Sequence, residues 1–205
     1  MDKTSYNTII FDLGGVIIDL DKDRCIDAFK GIGYADVDTM LGNYKQEGEF
    51  LALEEGRMSA GEWRDFIRER IGGDVTDSQI DDAFNAFLVE IPACKLKMLR
   101  SLRGKYRIAM LSNTNPVMFE GRIRELFRGE GLEMEDYFDD IFVSYRMNMS
   151  KPSDDIFKEV AVRLGIEPGE ALFVDDSEKN VEAASALGFK TMHVEPYTDF
   201  TGKLL

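Results

Sequence analysis

Short apolar runs rich in β-branched residues alternate with amphipathic stretches along most of this chain, and the alternation breaks once. Thr8-Ile9-Ile10-Phe11 runs into Asp12, Leu13 and the glycine pair Gly14-Gly15. Such a run predicts a buried parallel strand that ends in a tight turn. From about Asp21 to Ile91 the pattern turns helical and charged, with turn signals at Gly31-Ile32-Gly33, Gly56 and Gly72-Gly73 and no convincing strand. Ser59 with Glu62, and Thr76 with Gln79, predict capping boxes at two helix starts. After Pro92 the alternation resumes. It predicts a helix from Cys94 to Leu102, a strand from Tyr106 to Leu111 ending at Ser112-Asn113-Thr114-Asn115, and a helix after Pro116. A strand at Ile141 to Val143 and a helix from Ser153 to Leu164 follow. The strand Ala171 to Val174 ends at Asp175-Asp176-Ser177, and a last helix precedes a strand from Lys190 to Val194.

This order predicts an α/β protein with a doubly wound parallel sheet and right-handed crossovers. Residues 1–20 and 92–205 are expected to form the core domain, and residues 21–91 a small helical cap inserted after the first strand. A length of 205 residues suits that arrangement. No internal repeat or low-complexity tract interrupts it.

Charge narrows the partners. With 39 acidic and 25 basic residues the net charge is −14, a field that repels nucleic acid and anionic membranes. A small phosphorylated ligand must then be met by local amides, a lysine and a cation. Cys25 and Cys94 lack the paired spacing of a disulfide framework or a zinc site, which suits reduced thiols. No apolar run nears the ~20 residues of a membrane span, and no basic-then-apolar leader opens the chain. The expected location is the cytoplasm. Oligomeric state is not readable from these patterns.

The candidate chemistry lies at predicted strand ends, where open α/β sheets bind ligands. Asp12 ends the first strand, Ser112-Asn113 another and Asp175-Asp176 a third, while Lys151 precedes Pro152 in a loop. An aspartate at such a place is costly to desolvate without a partner. Carboxylates, one ammonium, a hydroxyl and an amide at one sheet edge suit phosphate handling with a divalent cation, and hard oxygen donors favour Mg²⁺.

These four segments, in this order, resemble the motif set of the haloacid dehalogenase-like hydrolase superfamily. The helical insertion falls in the slot of that superfamily's small cap. Within it, the chain is most similar to small-cap phosphatases of the glucose-1-phosphate type. The resemblance implies that Asp12 is a nucleophile giving an aspartyl-phosphate and that Mg²⁺ is held by Asp12, the Gly14 carbonyl and Asp176, with Asp175 beside them. Ser112 and the Asn113 amide would bind phosphoryl oxygens, and Lys151 would neutralise nucleophile and phosphoryl group. Asn180 belongs with the last motif.

One position departs from the family pattern. Gly14 stands where the second aspartate of the first motif, the general acid and base, is usual. Losing such a group costs on the order of 10²–10⁴ in rate. Substrates with good leaving groups, such as an anomeric sugar phosphate, would suffer least. Asp19, Asp21, Glu47 and Glu49 are candidate substitutes, and nothing in the sequence selects among them. The leading expectation is an Mg²⁺-dependent phosphatase acting on a small sugar phosphate. The alternatives are a phosphometabolite-binding protein with little turnover and a 2-haloacid dehalogenase. The second needs no metal, so Asp175-Asp176 argues against it.

Blander readings apply to single residues. Ser112-Asn113 and Asp175 could simply cap helices, and Lys151 could be a solvated lysine. His193, at the end of a predicted strand and expected to lie far from any of the motifs, reads as structural. Trp63, Phe66 and Ile67 read as the apolar face of a cap helix, and Asp136 to Asp140 as a solvated acidic turn. Met147-Asn148-Met149 fits core filling or the path to Lys151. Tyr44, Glu47 and Phe50 are cap residues with no predictable relation to a pocket.

Overall fold

The first apolar run becomes the centre of a sheet in the computed structural model, which describes residues 6–41 and 48–204. In chain order the strands are Thr8–Phe11 (β1), Asp19–Leu20 (β2), Leu88–Glu90 (β3), Arg107–Ser112 (β4), Asp140–Val143 (β5), Ala171–Asp175 (β6) and Lys190–His193 (β7). Five of them form one sheet in the order β5-β4-β1-β6-β7. Every pairing in it is parallel, with Thr8 opposite Arg107 on one side and Ala171 on the other. The carboxyl ends of β1, β4 and β6 therefore lie side by side.

Side-chain alternation along the strands divides the core into two layers. Ile9, Phe11, Ile108, Met110, Leu172 and Val174 are buried in one cluster. Ile10, Ala109, Leu111, Ala171 and Phe173 are buried in the other, across the sheet. Apolar residues at successive positions are needed because both faces are covered. The fold is the expected doubly wound α/β arrangement.

The helices Lys22–Gly31 (α1), Val37–Met40 (α2), Gly48–Glu54 (α3), Ala60–Ile71 (α4) and Asp77–Asn85 (α5) lie between β2 and β3. Both capping boxes are formed: Ser59 Oγ accepts from Glu62 N at 3.3 Å and Thr76 Oγ1 from Gln79 N at 3.2 Å. The helices close on an aromatic cluster in which Trp63 stacks on Phe84 at 4.7 Å and meets Phe50 edge-on at 5.4 Å. Trp63 and Ile67 are fully buried, and Phe66 packs against the same cluster. One expectation fails here. Leu88–Glu90 is a strand, and it pairs antiparallel with β2 to form a short ribbon at the root of the helical segment. Elements of two and three residues are too short to show a periodicity.

The remaining helices are Ala93–Leu102 (α6), Pro116–Met118 (α7), Arg124–Phe127 (α8), Ser144–Met147 (α9), Asp154–Leu164 (α10) and Glu178–Ala186 (α11). A π-helical turn, Phe119–Ile123, separates α7 from α8. The segment Asp136 to Asp140 is solvated only in part: Asp136 and Asp139 are exposed, as expected of an acidic turn. Asp139 meets Arg103 at 3.2 Å and accepts from Ile108 N, Asp140 forks onto Arg107, and Tyr137 and Phe138 are buried between them. Met147 and Met149 pack into the second core cluster. Both cysteines are free, Cys25 buried and Cys94 exposed. Among the described residues, no helix is long and apolar enough to cross a membrane.

Candidate active site

Asp12 follows the last residue of β1, and its N–H still donates to Val174 O at 2.9 Å, so the strand pairing fixes its backbone. The chain then folds back on itself, with the N–H groups of Ile17 and Ile18 both reaching Leu13 O at 2.8 Å. Gly15 sits in this turn at φ +73°, where a Cβ would stand 2.3 Å from Asp176 Oδ2. Only glycine combines that conformation with so close an approach. The turn thus brings the end of β1 against the end of β6.

Lys151 connects the same two strands. Its side chain is buried, with Nζ 2.9 Å from Asp12 Oδ1 and 2.7 Å from Asp175 Oδ2. Its main chain is held from the other side by Asn113, whose Nδ2 donates to Lys151 O and whose Oδ1 accepts from Lys151 N, both at 2.9 Å. The Asn113 side chain is therefore engaged in bracing the lysine.

Asp175 is fully buried, and its oxygens are heavily used. Oδ1 accepts from Ser177 N at 2.8 Å and Asn180 Nδ2 at 3.0 Å, while Oδ2 faces Lys151 and Asn180. It holds the turn before α11 and the ammonium at once. Asp176 is only partly buried. Its carbonyl meets His193 Nε2 at 2.9 Å, so the expectation that His193 lies far from the motifs fails. β7 pairs with β6 and sets His193 opposite Asp175, an adjacency that chain distance conceals.

Oxygens of Asp12, Asp175 and Asp176 lie within 4.8 Å of one another. One ammonium among three carboxylates leaves the cluster short of positive charge. Burial pushes the Asp12 carboxyl up to about 7, with Lys151 opposing and Asp175 and Asp176 adding to the rise. Burial, then Asp175, raises Asp176 to about 6. Burial works against the charge on Lys151, but the two aspartates outweigh it and hold its pKa above the ordinary lysine value. Hard oxygen donors, close packing and missing positive charge together fit a small divalent cation.

A small cavity lies beside the turn after β1 and the end of β4, lined among others by Leu13, Gly14, Leu20, Ser112, Asn113 and Glu54. Ser112 is buried at the end of β4. Two of the candidate acids named from sequence are committed elsewhere. Asp19 meets Lys95 at 3.3 Å and Asp21 caps α1 through Arg24 N. Glu49 lies in the first turn of α3, while Tyr44 and Glu47 fall outside the described residues. Glu54, at the other end of that helix, escaped sequence reasoning. Its one signal is its position four residues after the buried Phe50, on the same helix face.

Buried strand-end carboxylates bridged by one lysine, on a sheet with a helical insertion after its first strand, define a class of hydrolases. The haloacid dehalogenase-like hydrolase model matches residues 6–188, and the chain belongs to that family. It is 37% identical over 196 residues to D-ribitol-5-phosphate phosphatase of Bacteroides thetaiotaomicron, an alignment covering 96% of this chain and 95% of that protein. An enzyme of the same family and organism, solved in complex with magnesium and inorganic phosphate, superposes with TM-score 0.92 at 40% identity. That match covers 98% of this chain and 100% of the other. An L-2-haloacid dehalogenase from Xanthobacter autotrophicus, at 21% identity and TM-score 0.61 over 92% and 77% of the two chains, shares the fold.

Proposed function

We propose that this chain is a magnesium-dependent phosphatase that hydrolyses a small sugar or sugar-alcohol phosphate through an aspartyl-phosphate on Asp12. The observation that carries the reading is the Lys151 ammonium, buried between Asp12 and Asp175 beside Asp176. That arrangement neutralises a nucleophilic carboxylate and an incoming phosphoryl group together. Phosphoryl transfer depends mainly on such positioning and electrostatics. Similarity to a D-ribitol-5-phosphate phosphatase and to a structure holding magnesium and phosphate supports the substrate class and the cation.

Asp12, Asp176 and the Gly14 carbonyl would hold the magnesium, with Asp175 behind them orienting Lys151. When bound, the ion supplies charge neutralisation to the phosphoryl oxygens. An Asp12 oxygen attacks phosphorus, and the Ser112 hydroxyl and Asn113 N–H bind the equatorial oxygens. Lys151 stays paired with the carboxylate as charge moves onto the phosphoryl group. Residues 21–91 act as a cap over a core built of residues 1–20 and 92–205, and the cap selects the alcohol part of the substrate.

Release of inorganic phosphate from p-nitrophenyl phosphate and a panel of sugar and sugar-alcohol phosphates tests this. Turnover with Mg²⁺ that is lost on chelation and in Asp12→Asn is the expected result. Binding of these esters without any turnover would instead identify a phosphometabolite-binding protein, for which Gly14 is the specific argument. Metal-independent halide release from a 2-haloacid would overturn both readings.

A further inference from the structure

A glycine at position 14 leaves the proposed reaction without a proton donor on the first strand's turn, yet an acidic residue at the end of α3 lines the same cavity. Gly14, Ser112, Asn113 and Glu54 line one hollow, and Glu54 is the acidic residue among its walls. The apolar side chains Leu20, Phe87 and Leu88 line the same cavity. Among the described residues no hydrogen-bond donor or cation pairs with its carboxyl. Its neighbour Glu55 is occupied, accepting from Arg57 Nε at 2.9 Å and Ser150 Oγ at 3.1 Å.

The end of α3 that carries Glu54 is pinned to the core. The Ser144 hydroxyl lies 2.7 Å from Glu54 O and 2.9 Å from Thr114 O, and accepts from Thr114 N at 3.0 Å. Asn148 Nδ2 donates to Glu55 O at 3.1 Å. At Gly56, φ +68°, a Cβ would stand 2.2 Å from Tyr145 O, so the backbones touch closely just after the helix. Glu54 is thereby fixed relative to β4 and the Lys151 loop, with the precision that proton transfer demands.

We propose that Glu54 is the general acid and base of this phosphatase, taking the place of the carboxyl that Gly14 lacks. The proposal rests on the phosphatase reading above. In the first step an Asp12 oxygen bonds to phosphorus, the bond from phosphorus to the ester oxygen breaks, and the Glu54 proton moves to that oxygen, releasing an alcohol. In the second, the Glu54 carboxylate takes a proton from water as the water oxygen bonds to phosphorus. The bond from phosphorus to Asp12 breaks, giving inorganic phosphate and protonated Glu54. The environment supports the starting state. Burial, then the charges of Glu55 and Asp12, push the Glu54 carboxyl up to about 8, with Lys151 opposing, so the acid is mostly protonated at neutral pH.

Leaving-group dependence tests the role. In Glu54→Gln, kcat/KM for a primary alkyl phosphate such as a sugar-alcohol 5-phosphate falls by about 10²-fold or more, the scale of a lost general acid. For p-nitrophenyl phosphate, whose phenolate leaves without a proton, kcat/KM changes by less than about threefold while kcat falls, because the second step still needs the base. A carboxyl restored at position 14 should rescue the alkyl substrate in Glu54→Gln/Gly14→Asp. A Cβ on Gly14 stands 3.0 Å from the tip of Leu20, a flexible side-chain end that must give by a few tenths of an ångström to admit it. Equal losses on both substrates, or no loss, in a Glu54→Gln protein with native circular dichroism would overturn the assignment. So would a Glu54→Asp protein that matches wild type on p-nitrophenyl phosphate yet has lost alkyl turnover as completely as Glu54→Gln. Failure of the phosphatase reading looks different: wild type itself releases no phosphate, and Asp12→Asn changes nothing.

Discussion

Gly14 and Gly15 are adjacent and chemically identical, but the structure gives them opposite tolerance. A Cβ on Gly15 would overlap Asp176 Oδ2 at 2.3 Å in a left-handed backbone conformation, whereas one on Gly14 meets only the end of the Leu20 side chain. Gly15→Ala should therefore displace Asp176 and weaken magnesium binding about 10–100-fold, as losses of support to a ligand do. Isothermal titration with Mg²⁺ checks it, and Gly14→Ala serves as the control with near-native affinity. A Gly15→Ala protein that binds magnesium normally would mean that Asp176 is not a ligand. At this scale the sequence was readable wherever a residue type is demanded by its own strand end. Asp12 and Asp176 stood out for that reason, whereas Lys151, in a loop before Pro152, stood out only as part of the motif set. The clamp of Asn113 on the Lys151 main chain, and His193 beside Asp176, depend on pairings between strands distant in the chain. Glu54 was hidden because one glutamate on a charged helix has no local mark.

Elements were more legible than contacts because their signals are local. Both capping boxes and the glycine stops of the helices were visible as short patterns, while the β2–β3 ribbon was too short to leave one. What locks the helices of residues 21–91 together is less visible: the cluster of Phe29, Phe50, Trp63 and Phe84, each fully or almost fully buried. Among the described residues no acceptor reaches the Trp63 indole N–H, so the ring contributes through packing alone. Trp63→Ala should cost about 3–5 kcal/mol, the range for emptying an aromatic site in a core. Trp63→Phe, which keeps most of the volume, should cost much less. Equilibrium urea unfolding measures both. If Trp63→Ala lowers stability by only a few tenths of a kcal/mol, the cluster is not what holds these helices. Since α3 carries both Phe50 and Glu54, packing in this cluster and proton transfer at the cavity are joined by one short helix.

On the scale of the whole molecule, the same charges that fit a cation make the cation-free protein sensitive to pH. The chain carries a net charge of −14 and holds three partly buried carboxyls whose pKa values are all raised: Asp12 to about 7, Asp176 to about 6 and Glu54 to about 8. Burial is the first cause in each case. A carboxyl with a higher pKa folded than unfolded binds more protons in the folded state, so stability falls as pH rises. The contribution is complete below the ordinary carboxylate range near 4 and is lost as pH passes through 6 to 8. Without metal, Tm should therefore drop between pH 5 and pH 8. Magnesium should reverse the drop, because it replaces the protons that Asp12 and Asp176 give up. The two effects are linked: Mg²⁺ should raise Tm far more at pH 8 than at pH 5, and its binding near pH 6.5 should release protons. Differential scanning fluorimetry with EDTA or Mg²⁺ across this range gives the first. Calorimetric titration in two buffers of different ionisation enthalpy gives the second. A Tm that is flat with pH in EDTA, together with buffer-independent binding heat, would mean that the three carboxyls are already ionised without the cation, and that Lys151 alone balances them.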